Sequence, residues 1–401
     1  MTELLNLGKL AISDFIKEGD APRGGEYELK LVTGEYGEAM IDVPPPDNAM
    51  YGKYWYRSSV NATMKKQLRN IVDSVTDIFP LKDGDVWLDI ASNDGTLLSY
   101  VPSDMYRIGI DPADDSFKKE AETKADLIIQ DYFSYKAYRS KTVLKAKVIT
   151  SIAVFYDIKD RKSFLTDIND VLDDDGLWVI QMSYTPLMIE QLAFDNICHE
   201  HAYYYSLSSI YDLLGDYGLQ IMDCQLNDVN GGSFRLYVMK DKANTSLFGT
   251  QPYRDVCNFR IKSLFYLENN SDISDVFVWN TFKDDIDILK EQVVFFIKSV
   301  TAKGKVVMGY GASTKGNTLL QYFGLDDGLI TAIADRNPQK WGLKTVKTNI
   351  PIISEEEMRN RQPDYLLILP WHFIKEFQER ESEYIWKGGK FIVPCPKFMI
   401  I

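Results

Sequence analysis

Apolar positions recur with two periods along this chain. Between Asn61 and Phe79 they fall at helical spacing, with Met64, Leu68, Ile71, Val72 and Val75 on one face. Beyond that helix the pattern changes to short, near-continuous apolar runs. They are VWLDIA (86–91), RIGID (107–111), DLIIQ (126–130), VITSIAVF (148–155) and LWVIQMSY (177–184). Helical stretches separate them, among them 114–124 and 161–172. Apolar strands alternating with helices predict a parallel sheet covered on both faces. After a helix over 208–217, LQIMDCQL (219–226) and SFRLYVM (233–239) are joined by NDVNGG alone. That linker has no room for a crossover helix, so the pair must be antiparallel. A parallel α/β sheet closed by an antiparallel hairpin is a specific topology.

The flanks read differently. The stretch up to about Tyr56 reads as irregular, with a Gly24-Gly25 turn, a strand-like YELKLV and a proline run around Pro45. Such prolines suit neither a helix interior nor a central strand. Residues 246–303 read as helical and polar, a connector. From KVVMGYGA (305–312) strands and helices alternate again, through LITAIADRNP, DYLLILP and GKFIVPCP. The expected fold class is therefore α/β: a class I methyltransferase Rossmann-like sheet, a second Rossmann-like C-terminal domain and a small N-terminal lobe. The expected divisions are 1–60 (lobe), 61–245 (methyltransferase domain), 246–303 (connector) and 304–401 (substrate domain).

Composition narrows the partners. Of 401 residues, 45 are Lys or Arg and 58 Asp or Glu, a formal net charge of −13. An acidic chain argues against broad binding to nucleic acid or anionic membrane. Cys198, Cys224, Cys257 and Cys395 are scattered with no C-x-x-C pair, so neither zinc nor a disulfide framework is indicated. No apolar run is long enough to span a bilayer. The first residues are too acidic and broken for a signal peptide. A soluble, cytoplasmic protein is expected, and a monomer is compatible with the sequence.

The first strand–turn–helix carries a cofactor pattern. Asp89 lies near the end of VWLDIA, and Ala91-Ser92-Asn93-Asp94-Gly95 forms the turn. Backbone N–H groups at such a turn can face a ligand closely. Asp111, followed by Pro112, ends the next strand, where a carboxylate can accept from both ribose hydroxyls. Asp131 and Tyr132 follow the third strand and are candidates for an adenine. NAD competes, but the turn is A-S-N-D-G rather than G-x-G-x-x-G, and acidic residues would repel a pyrophosphate. S-adenosylmethionine (SAM) is a phosphate-free sulfonium and suits an acidic turn better, with S-adenosylhomocysteine as its product. The plain alternative is that Asp94 caps a helix and Asp111 ends a strand.

Two of the three histidines fall in Asn196-Ile-Cys-His-Glu-His-Ala-Tyr-Tyr-Tyr, just beyond the fifth strand. Ligands of a doubly wound sheet bind past the carboxyl ends of its strands. His201 or His199 could move a proton near neutral pH, and Glu200 could orient an imidazole. Such a base suits removal of a proton next to a carbonyl. Cys198, His199 and His201 also permit a metal reading, without the spacing of known zinc motifs. The tyrosines pack equally well as core.

The remaining candidates are for substrate. Asn230, Ser233 and Arg235 lie in NGGSFR, where glycines allow close approach and Arg235 could hold a phosphate. A plain hairpin turn with a surface arginine fits the same letters. Lys315 and Asn317 in GYGASTKGN could hold a diphosphate, and Asp335 repeats the acceptor position of a second nucleotide-type turn. The alternative is a vestigial scaffold.

Over most of its length the sequence resembles the SAM-dependent C-methyltransferases that act on nucleotide-linked deoxysugars. The resemblance rests on YGKYWYRSSVNATM, DIASNDGTLL, the stretch from Phe194 through ICHEHAYYYSL, NGGSFRLYV, GYGASTKGNTLL, ADRNPQKWG and PDYLLILPW, in that order. It implies that the first α/β domain binds SAM and that the nucleotide sugar lies between it and the C-terminal domain. It implies His201 as general base, Glu200 as its partner and Tyr56 as an active-site tyrosine facing the sugar. Three departures stand out. Many members carry a four-cysteine zinc site in the N-terminal lobe, whereas YELKLVTGEYGEAM has none, so no metal is expected. Many have Tyr where this chain has Cys198. The loop LKTVKTN lacks a common Pro-Gly. An O- or N-methyltransferase, a non-catalytic nucleotide-sugar or SAM-binding protein and an NAD(P)-dependent sugar reductase are the alternatives.

Overall fold

The computed structural model describes residues 1–21, 24–46, 50, 55–270 and 272–401. The N-terminal stretch is more regular than its sequence suggests. It forms β1 (Glu3–Ala11), β2 (Phe15–Ile16), β3 (Glu26–Thr33) and β4 (Ala39–Ile41). In ELLNLGKLA the apolar alternation is interrupted, and the pairing of β1 with β3 is correspondingly irregular.

The central sheet comprises β5 (Val86–Ile90), β6 (Tyr106–Ile110), β7 (Leu127–Ile129), β8 (Ala146–Ile152) and β9 (Leu172–Ser183). The two-residue β10 (Tyr203–Tyr204) leaves this sheet and pairs with β4 of the lobe. The hairpin β11 (Leu219–Asn227) and β12 (Ser233–Lys240) then closes it. The order is β11-β12-β9-β8-β5-β6-β7. All pairs among β5 to β9 are parallel, and both pairs of β12 are antiparallel. This is the class I methyltransferase sheet. The second strand of the hairpin, rather than the first, lies against β9. The run expected to continue as strand through Phe155 instead breaks after Ile152, and Phe155–Asp157 form a 3-10 turn. That break carries Tyr156 and Asp157 past the sheet edge.

The third sheet contains β13 (Val307–Tyr310), β14 (Ile333–Asp335), β16 (Ile352–Ser354), β17 (Tyr365–Ile368), β18 (Lys390–Val393) and β19 (Met399–Ile400). Its order is β16-β14-β13-β17-β18-β19, parallel except for β19. A short β15 (Lys344–Thr345) pairs with β2.

The stretch 246–303 is not a polar connector. Helix Val276–Thr301 buries Trp279, Phe282, Ile286, Leu289, Val293, Ile297 and Val300 as one stripe. That stripe belongs to a single core with lobe residues such as Leu5, Leu29 and Leu31 and with the C-terminal strands. Helix Gln251–Glu268 instead packs its Ile261 and Leu264 against the first α/β sheet. Each fully buried Leu, Ile or Phe contributes roughly 1.5–3 kcal/mol. The lobe and the C-terminal unit are therefore held as one packed body rather than as beads.

Candidate active site

The turn after β5 is bent at three residues with positive φ: Ala91 (57°), Asn93 (54°) and Gly95 (74°). At Gly95 a Cβ would lie 2.9 Å from the Ala121 backbone, so only glycine lets the helix Asp115–Ala121 pack this closely. Asp111 closes the turn. Its Oδ2 accepts from the Asn93 N–H and its Oδ1 from the Ala113 N–H, both at 2.8 Å. The carboxylate remains partly exposed beside Pro112, with lone pairs beyond those two bonds. Burial pushes its pKa up, against those two backbone bonds. Nearby, the Ser92 hydroxyl oxygen is buried without a partner among the described residues.

The other aspartates are more committed than an acidic, cation-binding turn requires. Asp94 is fully buried. It accepts from the Thr96 N–H (3.1 Å) and hydroxyl (2.5 Å) and from the Ser59 N–H (2.8 Å). Its backbone carbonyl accepts from Lys124. It works as an internal cap. Asp89 accepts from the Thr150 hydroxyl at 2.6 Å, and burial pushes its carboxyl up to about 7. Asp131 and Tyr132 are exposed.

Tyr56 belongs to this turn and not to the histidines. Its carbonyl accepts from the Asn93 amide, and the adjacent Ser58 N–H donates to Asn93 Oδ1. Among the described residues it makes no contact with His201. The preceding Tyr51–Tyr54 of the same sequence block lie outside the described residues.

The CHEH loop divides its residues between two jobs. His199 turns away from the site, with Nε2 3.2 Å from the Tyr27 carbonyl of β3. His201 faces the carboxyl edge of β8. Its Nδ1 lies 2.7 Å from the Asn196 carbonyl, and its ring lies against Tyr156 at a centroid distance of 4.2 Å. Burial, reinforced by the Lys315 charge, holds this imidazole down at about 3. It is therefore neutral, Nδ1–H donates to the carbonyl, and Nε2 keeps its lone pair. The partner of His201 is thus the Asn196 carbonyl, in the place expected of Glu200. Glu200 makes no hydrogen bond to His201 among the described residues, and burial with the Asp14 charge pushes it up to about 7. The Cys198 thiol is buried and pushed far up, so it stays protonated.

The substrate candidates separate in the same way. Lys315 reaches from the C-terminal unit into this loop and donates to Asn196 Oδ1 and to the Asn230 carbonyl (3.4 Å). Lys315, Asn230 and His201 are thereby brought together. Arg235 is not. It is buried, with Nε on Gln181 (3.0 Å) and Nη2 on Asn70 (3.1 Å). Its guanidinium ties the hairpin to helix Ala62–Ile78 and is unavailable to a phosphate. Ser233 donates to the Val229 carbonyl within its own turn. Asn317 is buried and donates to Ser13 at 2.7 Å. The glycines of NGGSFR admit another part of the chain: a Cβ on Gly231 would lie 3.1 Å from the Trp371 ring.

Two family models match the chain. Residues 61–223 match a methyltransferase domain, and residues 228–396 match a C-methyltransferase C-terminal domain. The C-methyltransferase NovU of Streptomyces niveus is 28% identical over 358 residues, which cover 89% of this chain and 83% of NovU. The chain is a SAM-dependent methyltransferase whose C-terminal part matches a C-methyltransferase domain. Solved methyltransferases overlap less than half of the chain at low similarity. Magnesium protoporphyrin IX methyltransferase of Synechocystis PCC 6803, with bound SAH, is 14% identical at a TM-score of 0.35 and covers 47% of this chain and 90% of its own. The N-methyltransferase NodS of Bradyrhizobium japonicum WM9 is 11% identical at a TM-score of 0.33, with 44% and 94% covered.

In this methyltransferase the residues fit the cofactor. The open Asp111 carboxylate and the unpartnered Ser92 hydroxyl lie at one turn and leave hydrogen-bonding capacity for SAM. Two site residues escape a reading of the sequence: Tyr156, whose ring lies tilted against His201, and Asp157, whose buried Oδ1 has no partner among the described residues. Burial and the Glu200 charge push Asp157 well up. A signal existed, since polar letters follow a buried strand at its carboxyl end. Positive φ gives another mark. Of the eight described non-glycine residues that adopt it, Ala91, Asn93, Ala153, Leu192 and Asn230 lie in loops around this site, while Lys347, Asn349 and Gln362 lie elsewhere in the C-terminal unit. Such backbone collects where surrounding structure enforces it. Among the described residues no three His, Cys, Asp or Glu side chains are placed to hold a metal ion.

Proposed function

We propose that this enzyme methylates a carbon next to a ketone on a nucleotide-linked deoxysugar. The observation that carries the reading is the locked tautomer of His201. Its Nδ1–H is held by the Asn196 carbonyl, which leaves Nε2 as a base at the carboxyl edge of β8. Asn93, Ser92 and Asp111 are the residues we assign to the cofactor, which supplies an electrophilic methyl carbon when bound. His201 Nε2 removes the proton from the carbon beside the ketone, and the pair left behind makes that carbon nucleophilic. Tyr156 packs its tilted ring against the imidazole and limits its movement. Asp157 and Glu200, both favoured as neutral acids, can donate hydrogen bonds into the same space.

The nucleotide is supported by the resemblance of the motif blocks. Residues 61–245 would hold the cofactor and 304–401 the substrate, with 1–60 and 246–303 packed between them. All four cysteines are free thiols, which fits a reducing compartment such as the cytoplasm. No described helix is long and apolar enough to cross a membrane.

The test is mass spectrometry of a panel of nucleotide-linked keto sugars incubated with enzyme and SAM, in ordinary and deuterated water. The expected result is a gain of one CH₂, together with enzyme-dependent exchange of the proton beside the ketone. Methyl transfer to a sugar lacking the ketone, with no such exchange, would instead establish an O- or N-methyltransferase.

A further inference from the structure

We infer that Lys315 is a catalytic residue whose ammonium binds the oxygen of the enolate, and that it is not a diphosphate ligand. The inference rests on the reading that His201 removes a proton next to a ketone.

Lys315 is the second residue of helix Thr314–Phe323 in the C-terminal unit. A lysine after a glycine-rich nucleotide-type turn would ordinarily be assigned to phosphate. Its side chain goes elsewhere. The ammonium donates to the side-chain oxygen of Asn196 and to the Asn230 carbonyl. The backbone carbonyl of the same Asn196 holds His201 Nδ1. One residue therefore fixes both base and cation, one through its main chain and the other through its amide. Asn196 is itself buried, and its NH₂ donates to the Ala193 and Asn230 carbonyls at 3.1 and 3.3 Å. The Ser183 hydroxyl also donates to its Oδ1 at 3.4 Å, so four contacts set the amide orientation and the fork is rigid.

The ammonium has three donors. Its two acceptors are neutral, and among the described residues no carboxylate lies within ion-pair distance. Burial pulls the Lys315 ammonium down from its ordinary value, while Asp195, Cys198 and Asp157 lie close enough to oppose that shift without pairing with it. Burial favours the neutral forms of Asp157 and Asp195. His201 and His372 are also kept neutral, by burial and by this same cation. The site therefore holds a buried positive charge with a spare donor, which a transient anion would compensate.

Distance along the substrate decides between the two roles. The base acts on the carbon bonded to the carbonyl carbon, so the donor to the ketone oxygen must stand within a bond or two of the base. The diphosphate leaves from the anomeric carbon, away from the reacting pair. A cation tethered to the base through one asparagine is positioned for the oxygen. The electrons balance: His201 takes the proton, the C–H pair becomes the C=C bond, and the carbonyl π pair moves to oxygen under the ammonium. The C=C pair would then form the bond to the methyl carbon while the methyl–sulfur bond breaks and leaves its pair on sulfur; the oxygen pair re-forms C=O, and the proton on His201 passes to solvent.

The test uses the full-length enzyme with dTDP-4-keto-6-deoxyglucose as the probe ketone. Lys315→Met should lower kcat, and the exchange of the proton beside the ketone in deuterated water, by about 10²–10³-fold, the usual cost of losing one oxyanion donor. KM for the probe and affinity for SAM should stay within a few-fold of wild type. Lys315→Arg, which keeps the charge, should retain part of the exchange. Added methylammonium should restore exchange to Lys315→Ala in proportion to its concentration, which requires a folded site. A raised KM with kcat and exchange intact would overturn the assignment in favour of a diphosphate contact. Exchange in Lys315→Met equal to wild type would also overturn it. Wild-type enzyme that neither exchanges nor methylates the probe would overturn the function on which the assignment rests.

Discussion

The molecule contains the same device twice, and only one copy is open. In the first α/β unit, Asp111 accepts from the N–H groups of Asn93 and Ala113. In the second, Asp335 accepts from those of Ala312 and Asn337, also at 2.8 Å. Strand, turn, helix and end-of-strand carboxylate are alike. What differs is the space around the carboxylate. Asp111 stays partly exposed beside an unpartnered Ser92 hydroxyl. Asp335 is buried, with the Lys340 ammonium 3.6 Å away and itself bonded to the Ala312 carbonyl. The Trp55 carbonyl and Ser13 reach over from the N-terminal region to Asn337 and Asn317. The second turn has become structure, and its lysine has been redirected to the first unit's chemistry. Equivalent motifs do not imply equivalent sites; the neighbours decide.

The comparison can be broken in several ways. The largest effect should come from the base that the open unit presents: His201→Ala should lower turnover by about 10²–10⁴-fold with SAM binding unchanged. Isothermal titration and steady-state rates measure both. Next, the two carboxylates should respond differently. Asp111→Ala should weaken SAM by about 10–100-fold, the worth of hydrogen bonds to a charged group. Asp335→Ala should leave SAM affinity alone and cost about 1–3 kcal/mol of stability, because buried N–H groups and Lys340 lose their partner. Equal losses of SAM affinity would mean that the second turn also binds the cofactor.

Arg235→Met should behave like Asp335→Ala. Its loss frees Gln181 and Asn70 and should destabilise by about 2 kcal/mol, with KM for the nucleotide sugar little changed. A large rise in KM would restore the phosphate role expected from sequence. The smallest effect is a pH dependence. The Asp89 carboxyl sits at about 7 when folded, against an ordinary 3.8. Between those values the folded state binds more protons than the unfolded one. Stability therefore falls as pH rises through that window and levels off above it. Asp89→Asn should flatten the slope, and denaturant midpoints at pH 5 and pH 8 should differ less than in wild type, by about 1 kcal/mol or more.

Much of the fold is legible in the sequence, because period and linker length report it directly. The short linker NDVNGG alone forces β11 and β12 to be antiparallel. The stripe on helix Val276–Thr301 is just as legible, yet charged residues between its apolar positions hide it when the segment is judged by composition. The strand Glu3–Ala11 is masked by its irregular alternation. The site is legible only in part. His201 and Lys315 stand out by residue type, but their tether through Asn196 is tertiary. Arg235 and Asn317 look like phosphate ligands because letters do not show that a donor is already occupied. Asp157 is missed because its strand ends three residues earlier than its apolar run.

The measurement that bears most directly on the central claim is a carbon NMR spectrum of the product formed from methyl-¹³C-labelled SAM and a nucleotide-linked keto sugar. The account predicts a labelled methyl bonded to carbon, correlated to the ring carbon beside the ketone, whose former proton is lost. A labelled methyl in the methoxyl region would contradict it.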